Sequence, residues 1–438
     1  MIPLLGGFVV ALGLSLVLTV AVRRAAPALG LVDRPDGSRK LHRSPTPNVG
    51  GVAIFGAGVL TLLLGLRLGI PQVQFQAADP APIRALILGG CAIFALGVVD
   101  DARGLRPWTK LAVEAAVALA VVAAGVRIQS LGAGGLGGEV PLLLGVPLTV
   151  LWLVGITNSF NLLDGSDGVA GGAAFFAFLT LGIVSLLFGK SPVAAVSFVL
   201  AGATLGFLYF NFPPASIFMG DSGSLFLGFT LAGMGVLATQ KAPTVLAIAI
   251  PLVAFGVPIL DTALAIARRF LRREGIFSPD RGHIHHRLRD LGQSPRRVAF
   301  TVYALTAVFS VLSLLLAGGR AAVVGFGLAL MGAVVVVFVQ RLRSPEFLEW
   351  AKLFTWGRLQ RVVVERNMRV RQAAERLHRA RTQGEVLTAL EHAFGDGEFT
   401  RLELWLEDRY ASALKGQEWT ERAGHYRSLA LALLPPHD

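Results

Sequence analysis

Charge is scarce in this chain. Only 16% of its 438 residues are Asp, Glu, Lys or Arg, and 54% are hydrophobic, whereas a soluble domain carries roughly a quarter charged residues. That shortage excludes a soluble fold of this length and points to a polytopic membrane protein. Cysteine is almost missing. Cys91 stands alone inside an apolar run, which rules out an intramolecular disulfide and a cysteine-rich metal centre. The apolar runs lack period-2 alternation, so an outer-membrane barrel is excluded and helices are indicated. The first run, residues 2–22, has no basic residues ahead of it. Arg23 and Arg24 follow it instead, the order of an uncleaved helix with its N-terminus outside. No internal repeat is visible.

The net charge of +12 would fit a nucleic-acid partner. Here the basic residues flank apolar runs, as the positive-inside rule requires, so no nucleic-acid partner is expected. Eleven spans are expected at 2–22, 48–69, 83–99, 109–126, 141–157, 168–188, 191–210, 223–239, 243–268, 298–317 and 320–340. Alternation puts the loops 23–47, 100–108, 158–167, 211–222 and 269–297 on one side, with everything after 341. Arg23, Arg24, Arg34, Arg39, Lys40 and Arg43 share that side with Arg272, Arg273, Arg281, Arg287, Arg289, Arg296 and Arg297. The opposite loops hold only scattered Arg84, Arg127, Lys190, Lys241 and Arg320, so the basic side is expected to be cytoplasmic. Every polar, motif-like loop falls on that same side, which points to one cleft open to the cytosol.

The fold class expected is therefore an all-α polytopic membrane protein, residues 1–341, with about eleven transmembrane helices around a cytoplasmic active-site cleft. Residues 342–438 are charged and form a small cytoplasmic α/β appendix of unassigned role. Helical spacing runs over 357–382, a second helix is expected at 383–394, and strands at 399–406 and 427–434.

Four constellations carry chemistry. Asp100-Asp101 suits a divalent cation or a base acting on phosphate, or merely ends a helix. Lys110 and Glu114 follow at i, i+4 spacing; they pair with each other, or Lys110 faces a diphosphate. Asn158, Asn161, Asp164 and Asp167 recur every three residues, near one face of a helix, with Gly165 and Gly168 free to break it. Such groups read a base or ribose or hold a metal, where a simple helix end would need fewer. Phe218-Met-Gly-Asp221-Ser-Gly-Ser224 offers Asp221 to a hard cation, or Asp221 or Ser222 as an N-cap. Phe218 stacks on a base or sits at the interface. His283-Ile-His285-His286 invites zinc, but its arginine neighbours favour phosphate. Asp261, inside the ninth span, should face a bundle interior. Tyr209 and Asn211 read as interfacial anchors.

Taken together and in this order, these motifs resemble the polyprenyl-phosphate N-acetylhexosamine-1-phosphate transferase family (glycosyltransferase family 4). The resemblance covers roughly residues 1–340. It includes Asp33-Arg-Pro, Arg39-Lys-Leu-His42, Pro45-Thr-Pro-Asn-Val-Gly-Gly51 and Pro258-Ile-Leu-Asp261 as well as the loops above. Ser278-Pro-Asp-Arg-Gly-His-Ile-His-His286 resembles the branch that uses UDP-GlcNAc with undecaprenyl phosphate. The resemblance implies transfer of a sugar-1-phosphate from a UDP-sugar to undecaprenyl phosphate in the bacterial plasma membrane, releasing UMP, with Mg²⁺, for which Mn²⁺ would substitute. Membrane lipids and a second copy of the chain, in a homodimer, are the other partners expected. By motif position Asp221 binds the metal, Phe218 stacks on uracil, and Asp167 and Asn161 contact the nucleotide. Asp100 and Asp101 orient or deprotonate the acceptor phosphate. Lys110 and the histidines hold diphosphate oxygens, His285 and His286 joining Asp164 in catalysis. Asn158, His283, Arg281 and His42 bind substrate. Many relatives carry an acid three residues after the Asp pair, where this chain has Gly104. A secondary transporter using Asp261, and a silent scaffold served by the appendix, are the alternatives from other classes.

Overall fold

The structure, a computed structural model, describes residues 2–33, 45–71, 80–129, 140–240, 244–272, 282–318, 321–342, 372–374, 376–377, 380, 383–394, 401–407, 420–422 and 426–432. It divides into two compact units, Met1–Ala265 with Pro279–Leu342, and Ile266–Ser278 with Arg343–Asp438.

Eight described helices, or helical segments within them, are long and apolar enough to cross a membrane. They are α1 (Ile2–Ala25), α3 (Ala81–Arg103), α5 (Leu142–Leu163), α6 (Val169–Leu187), α7 (Ser191–Asn211), α8 (Gly220–Thr239), α12 (Pro295–Ala317) and α13 (Ala321–Arg341). Two shorter apolar helices, α2 (Gly51–Arg67) and α4 (Pro107–Ala123), stand where the second and fourth spans were expected. The chain is thus an all-α multi-pass membrane protein. The expected span 243–268 is broken into α9 (Thr244–Ala254) and α10 (Gly256–Arg272). Pro258 has no N–H to offer the carbonyl of Ala254, which ends the first ladder one turn earlier. The short helix α11 (Ile284–Asp290) follows.

Helix α8 is the axis of the bundle and is wholly buried along its apolar window. It packs against α3 and α5, and also against α2, α6, α7 and α9. Hydroxyls in these helices are mostly satisfied locally, as an apolar surrounding demands. Thr157 donates to Leu153 O, Thr230 to Phe226 O and Thr239 to Gly235 O, at 2.7 to 2.8 Å. Trp152 Nε1 ties α5 to α8 by donating to Ala232 O.

The α3–α8 contact is one of the close backbone approaches that concern the site. A Cβ on Gly97 would lie 2.4 Å from Ser222 Cα and 2.5 Å from Asp221 O. Only glycine lets the two backbones meet there. A second seam joins the segment before α2 to the segment before α8. Strand β2 (Thr46–Pro47), paired antiparallel with β1 (Val32–Asp33), accepts Phe218 N on Pro47 O. Gly50 N and Gly51 N then donate to Phe218 O and Met219 O.

In the second unit α14 (Gln383–Phe394) and β3 (Arg401–Glu407) occupy the expected positions. Strand β5 (Tyr426–Ala432) lies between β3 and an additional strand, β4 (Thr420–Arg422), in an antiparallel sheet of order β3-β5-β4. The expected helix over 357–382 lies almost entirely outside the described residues.

Gly97→Ala is expected to destabilise the bundle by about 1–3 kcal/mol through overpacking. Gly155, whose Cβ would meet nothing within 4 Å, is the control: Gly155→Ala should be neutral or slightly stabilising. Thermal melts of the two variants in detergent make the comparison; equal melting temperatures would refute the close-contact account.

Candidate active site

The site begins where α3 ends. Asp101 turns its carboxylate onto the start of α8. Its Oδ1 accepts from Asp221 N at 2.7 Å and its Oδ2 from Ser222 N at 3.0 Å. Met219 holds the N-cap position and has no side-chain cap of its own. The cap is therefore supplied by another helix, and neither Asp221 nor Ser222 serves as one. Asp221 in the first turn of α8 is left free for other work. Asp100 accepts from Leu105 N at 2.5 Å on one oxygen and from Lys110 Nζ at 2.7 Å on the other. Lys110 Nζ also reaches Asp221 Oδ2 at 2.6 Å. The expected helical pair of Lys110 with Glu114 gives way to this bridge, because two carboxylates on neighbouring helices outcompete one along its own helix.

Helix α5 runs on to Leu163, so Asn158 and Asn161 stand on its last turns and do not lie in a loop. Asp164 is its C-cap, and Asp167 lies beyond the helix. The three-residue period therefore sets one helical face only for the two asparagines. Asn161 Nδ2 donates to Asp221 Oδ1 at 2.9 Å and to Ser224 Oγ at 3.0 Å. Ser224 spends its own proton on Gly220 O. Asn161 thus offers only its carbonyl oxygen to the site. Asn158 Nδ2 donates to Glu114 Oε2 and to Val154 O.

Asp164 is held well above the usual carboxylate range by burial first, and then by the charges of Asp221, Asp101 and Asp167. Asp167 Oδ2 accepts from Ala215 N at 2.9 Å, bracing the segment between α7 and α8. Gly168, at φ 72°, closes the turn into α6. Its N–H donates to Asn211 Oδ1, and its carbonyl accepts from Tyr303 Oη at 2.8 Å. Asn211 is buried and also donates to Ile217 O, so it is a structural clasp, while Tyr209 is 76% exposed as an interfacial residue would be.

The histidine helix is anchored by Asp261. His283 Nδ1 lies 2.9 Å from Asp261 Oδ2, and Ile284 N donates to Asp261 Oδ1 at 2.7 Å. Asp261 is buried, and the bundle supplies its partners as expected. His285 packs its Nε2 2.8 Å from where a Cβ on Gly165 would stand, which brings the His helix against the Asp164 loop. The ring of His285 stacks near parallel to His283 and lies 4.3 Å, centroid to centroid, from His286. Among the described residues neither nitrogen of His285 has a hydrogen-bond partner. Burial first, and then His286, push its pKa down to about 3.

Asp100, Asp101, Lys110, Asn158, Asn161, Asp164, Asp167, Asp221, His283, His285 and His286 therefore share one end of the bundle. Phe218 joins them through the seam with Pro47 and Gly50. His42 and Arg281 lie outside the described residues. Two groups at this site escaped sequence reasoning: Tyr303, which sits in an apolar run with no motif around it, and the link from Glu114 to Asn158. An acid in an apolar helix was the available signal for Glu114.

No group of three or more His, Cys, Asp or Glu among the described residues is arranged to hold a metal ion. A zinc centre at the histidines is not formed there. Mg²⁺ asks for less, since it keeps several waters and takes one or two carboxylates plus substrate phosphates. Asp221 and Asp100 already share one cation, the Lys110 ammonium, and Asp164 lies close to the charges of Asp221, Asp101 and Asp167. That donor set fits a hard divalent ion.

The sequence profile of "Glycosyl transferase family 4" matches residues 83–239, which contain this site except for the histidine helix, its Asp261 anchor and Tyr303. The chain is 35% identical over 375 residues to a protein of Bacillus subtilis (strain 168) named "Probable undecaprenyl-phosphate N-acetylglucosaminyl 1-phosphate transferase". The match covers 84% of this chain and 99% of the relative. It is 34% identical over 355 residues, 74% of this chain and 84% of the relative, to "Decaprenyl-phosphate N-acetylglucosaminephosphotransferase" of Mycobacterium tuberculosis (strain CDC 1551 / Oshkosh). It is 28% identical over 294 residues to "Undecaprenyl-phosphate alpha-N-acetylglucosaminyl 1-phosphate transferase" of Escherichia coli (strain K12), covering 65% of this chain and 76% of that relative.

The depressed pKa of His285 gives a signed expectation. The unfolded chain takes up a proton near pH 6.5, whereas the folded imidazole stays neutral down to about 3. Stability from this group is complete above pH 6.5 and is lost as pH falls through that window. His285→Gln should therefore lose less melting temperature than wild type between pH 7.5 and pH 5. An identical loss in both proteins would refute the buried neutral histidine.

Proposed function

The chain belongs to the glycosyl transferase family 4 polyprenyl-phosphate N-acetylglucosamine 1-phosphate transferases, and from that premise we propose that it moves GlcNAc-1-phosphate from UDP-GlcNAc to undecaprenyl phosphate, releasing UMP. The product is the first lipid-linked intermediate of a cell-envelope polysaccharide. The observation that carries the reading is the meeting of Asp100, Lys110, Asn161 and Asp221 at one end of the bundle, inside the matched region. The distribution of Arg and Lys supports placing that end at the cytoplasmic face of a bacterial plasma membrane.

The reaction joins two anions. An oxygen of the acceptor phosphate attacks the β-phosphorus of the nucleotide sugar, and the bond from that phosphorus to the bridging oxygen breaks, leaving UMP. Asp221 and Asp100 would hold Mg²⁺, or Mn²⁺ in its place, with Asn161 Oδ1 beside them. The ion, when bound, supplies positive charge to phosphates that otherwise repel. Lys110 lies between Asp100 and Asp221. From there its ammonium is placed to meet a diphosphate oxygen once a cation relieves it of one carboxylate. Asp101 keeps the start of α8 fixed, so Asp221 needs no reorganisation during transfer. His285, neutral and with neither nitrogen partnered among the described residues, donates one hydrogen bond to a phosphate oxygen or accepts one from a phosphate hydroxyl. Asp167 faces the nucleotide through the oxygen not spent on Ala215.

Purified protein given UDP-GlcNAc labelled with ³²P at the β-phosphate, Mg²⁺ and undecaprenyl phosphate should form labelled lipid and UMP. Asp221→Asn should lower the rate about 10²–10³-fold with an unchanged melting temperature. Full activity of that variant would remove the metal assignment. No UMP from UDP-GlcNAc, with turnover of UDP-GalNAc or UDP-QuiNAc, would move the donor to another UDP-N-acetylhexosamine.

A further inference from the structure

Glu114 is fully buried on α4, one turn beyond Lys110. Its Oε2 accepts from Asn158, and its Oε1 has no hydrogen-bond partner among the described residues. A buried carboxyl with one oxygen unmatched is destabilising, and an apolar side chain of the same size would serve the helix better. No other described side chain depends on it for a hydrogen bond. What Glu114 does achieve is to settle the orientation of Asn158.

Asn158 has two amide protons, and both are spent. One goes to Glu114 Oε2 and the other to Val154 O. Turning the amide over would set its carbonyl oxygen against the Val154 carbonyl and the Glu114 carboxyl together. The orientation is thus fixed by two acceptors, one of them supplied by Glu114. Among the described residues nothing bonds Asn158 Oδ1, and the side chain is half-buried. A carbonyl oxygen receives hydrogen bonds and gives none. It cannot bind the fully ionised phosphate of a polyprenyl acceptor, which has only acceptor oxygens. It can receive a hydroxyl or an N–H, and of the two substrates proposed above only the nucleotide sugar carries these.

We propose that Glu114 is a positioning residue for the nucleotide-sugar substrate: by accepting from Asn158 it holds that side chain oxygen-first, to receive a hydroxyl or N–H of the UDP-sugar. The inference rests on the transferase reading above. It separates the roles of the two polar groups on this stretch of α4, Lys110 acting on phosphates and Glu114 acting through Asn158 on the donor.

The test compares wild type, Glu114→Leu and Glu114→Gln by UMP release, varying UDP-GlcNAc and undecaprenyl phosphate in turn, with melting temperatures of all three. In Glu114→Leu the KM for UDP-GlcNAc should rise about tenfold, the effect of one misdirected hydrogen bond. The KM for undecaprenyl phosphate should stay within about twofold on the same scale. Its melting temperature should equal or exceed that of wild type. Glu114→Gln should behave nearly as wild type, because the glutamine oxygen still accepts from Asn158. An equal rise in both KM values, or a fall in melting temperature that accounts for the loss, would overturn the proposal in favour of a structural role. A Glu114→Gln variant as impaired as Glu114→Leu would overturn it too, since charge and not acceptor geometry would then be the requirement. Active wild type with unchanged donor KM in Glu114→Leu removes only the role of Glu114. Wild type that releases no UMP removes the donor reading, and this inference with it.

Discussion

The carboxylate of Asp101 on the first turn of α8 is the interaction from which the rest of the site follows. Helix α8 is buried all round in its apolar window, so the orphan N–H groups at its start cannot rely on water. Asp101 accepts two of them. It reaches them because Gly97, one turn earlier on α3, lets the two backbones touch. With the helix start pinned, Asp221 points where Lys110, Asn161 and Asp100 can meet it. Loss of the α3–α8 contact would move every one of these groups, because each is defined by its distance to the first turn of α8.

A concentration of negative charge follows from that geometry. Asp100, Asp101, Asp164, Asp167 and Asp221 come from three helix ends and one loop, and Lys110 bridges only two of them. The raised pKa of Asp164 expresses the imbalance from the side of a single group. Such an arrangement is destabilising in isolation, and positive charge brought to it would relieve the repulsion. The phosphates of the proposed substrates would add to that negative charge, so binding them calls for more cationic charge than Lys110 alone supplies. Under the proposed reaction, this charge pattern is a reason to expect a cation and the phosphates to bind with mutual dependence.

Much of this was legible in the sequence, and the limits have physical causes. Apolar runs of bilayer length placed the helices, and the sorting of polar loops to one side foresaw that Asp100, Asn161, Asp164, Asp221 and the histidines would meet. The break between α9 and α10 was written in Pro258 but was hidden by the hydrophobicity around it. Partner choice was not legible. Lys110 has Glu114 at helical spacing, yet pairs across helices, because tertiary contact supplies two carboxylates where the local sequence supplies one. Likewise Ser222 and Asp221 looked like caps, since no local pattern reveals a cap arriving from a residue 120 positions earlier in the chain. Tyr303 carried no signal at all; its hydroxyl matters only because Gly172 leaves room for its ring and Gly168 presents a carbonyl to it.

Unpaired hydroxyls such as Ser15, Ser197, Thr204 and Ser310 occur in the scaffold, so the contrast between scaffold and site lies in the ionisable and amide groups. Along the helices most Thr hydroxyls return to the carbonyl four residues back, and Trp152, Asn211 and Asp261 have their polar atoms matched by neighbours. Near the reacting end the matching is incomplete in a patterned way. Among the described residues Glu114 keeps one oxygen unpaired and His285 both nitrogens, though both side chains are buried. Asn158 and Asn161 use up their protons on the protein and leave their oxygens open. Unpaired ionisable groups in an apolar surrounding lower stability, and a bundle selected for stability alone would have replaced them with apolar side chains. Their persistence at one end of α4, α5 and α11 is accounted for if the missing partners arrive with the substrates, so that binding completes hydrogen bonds that folding left open.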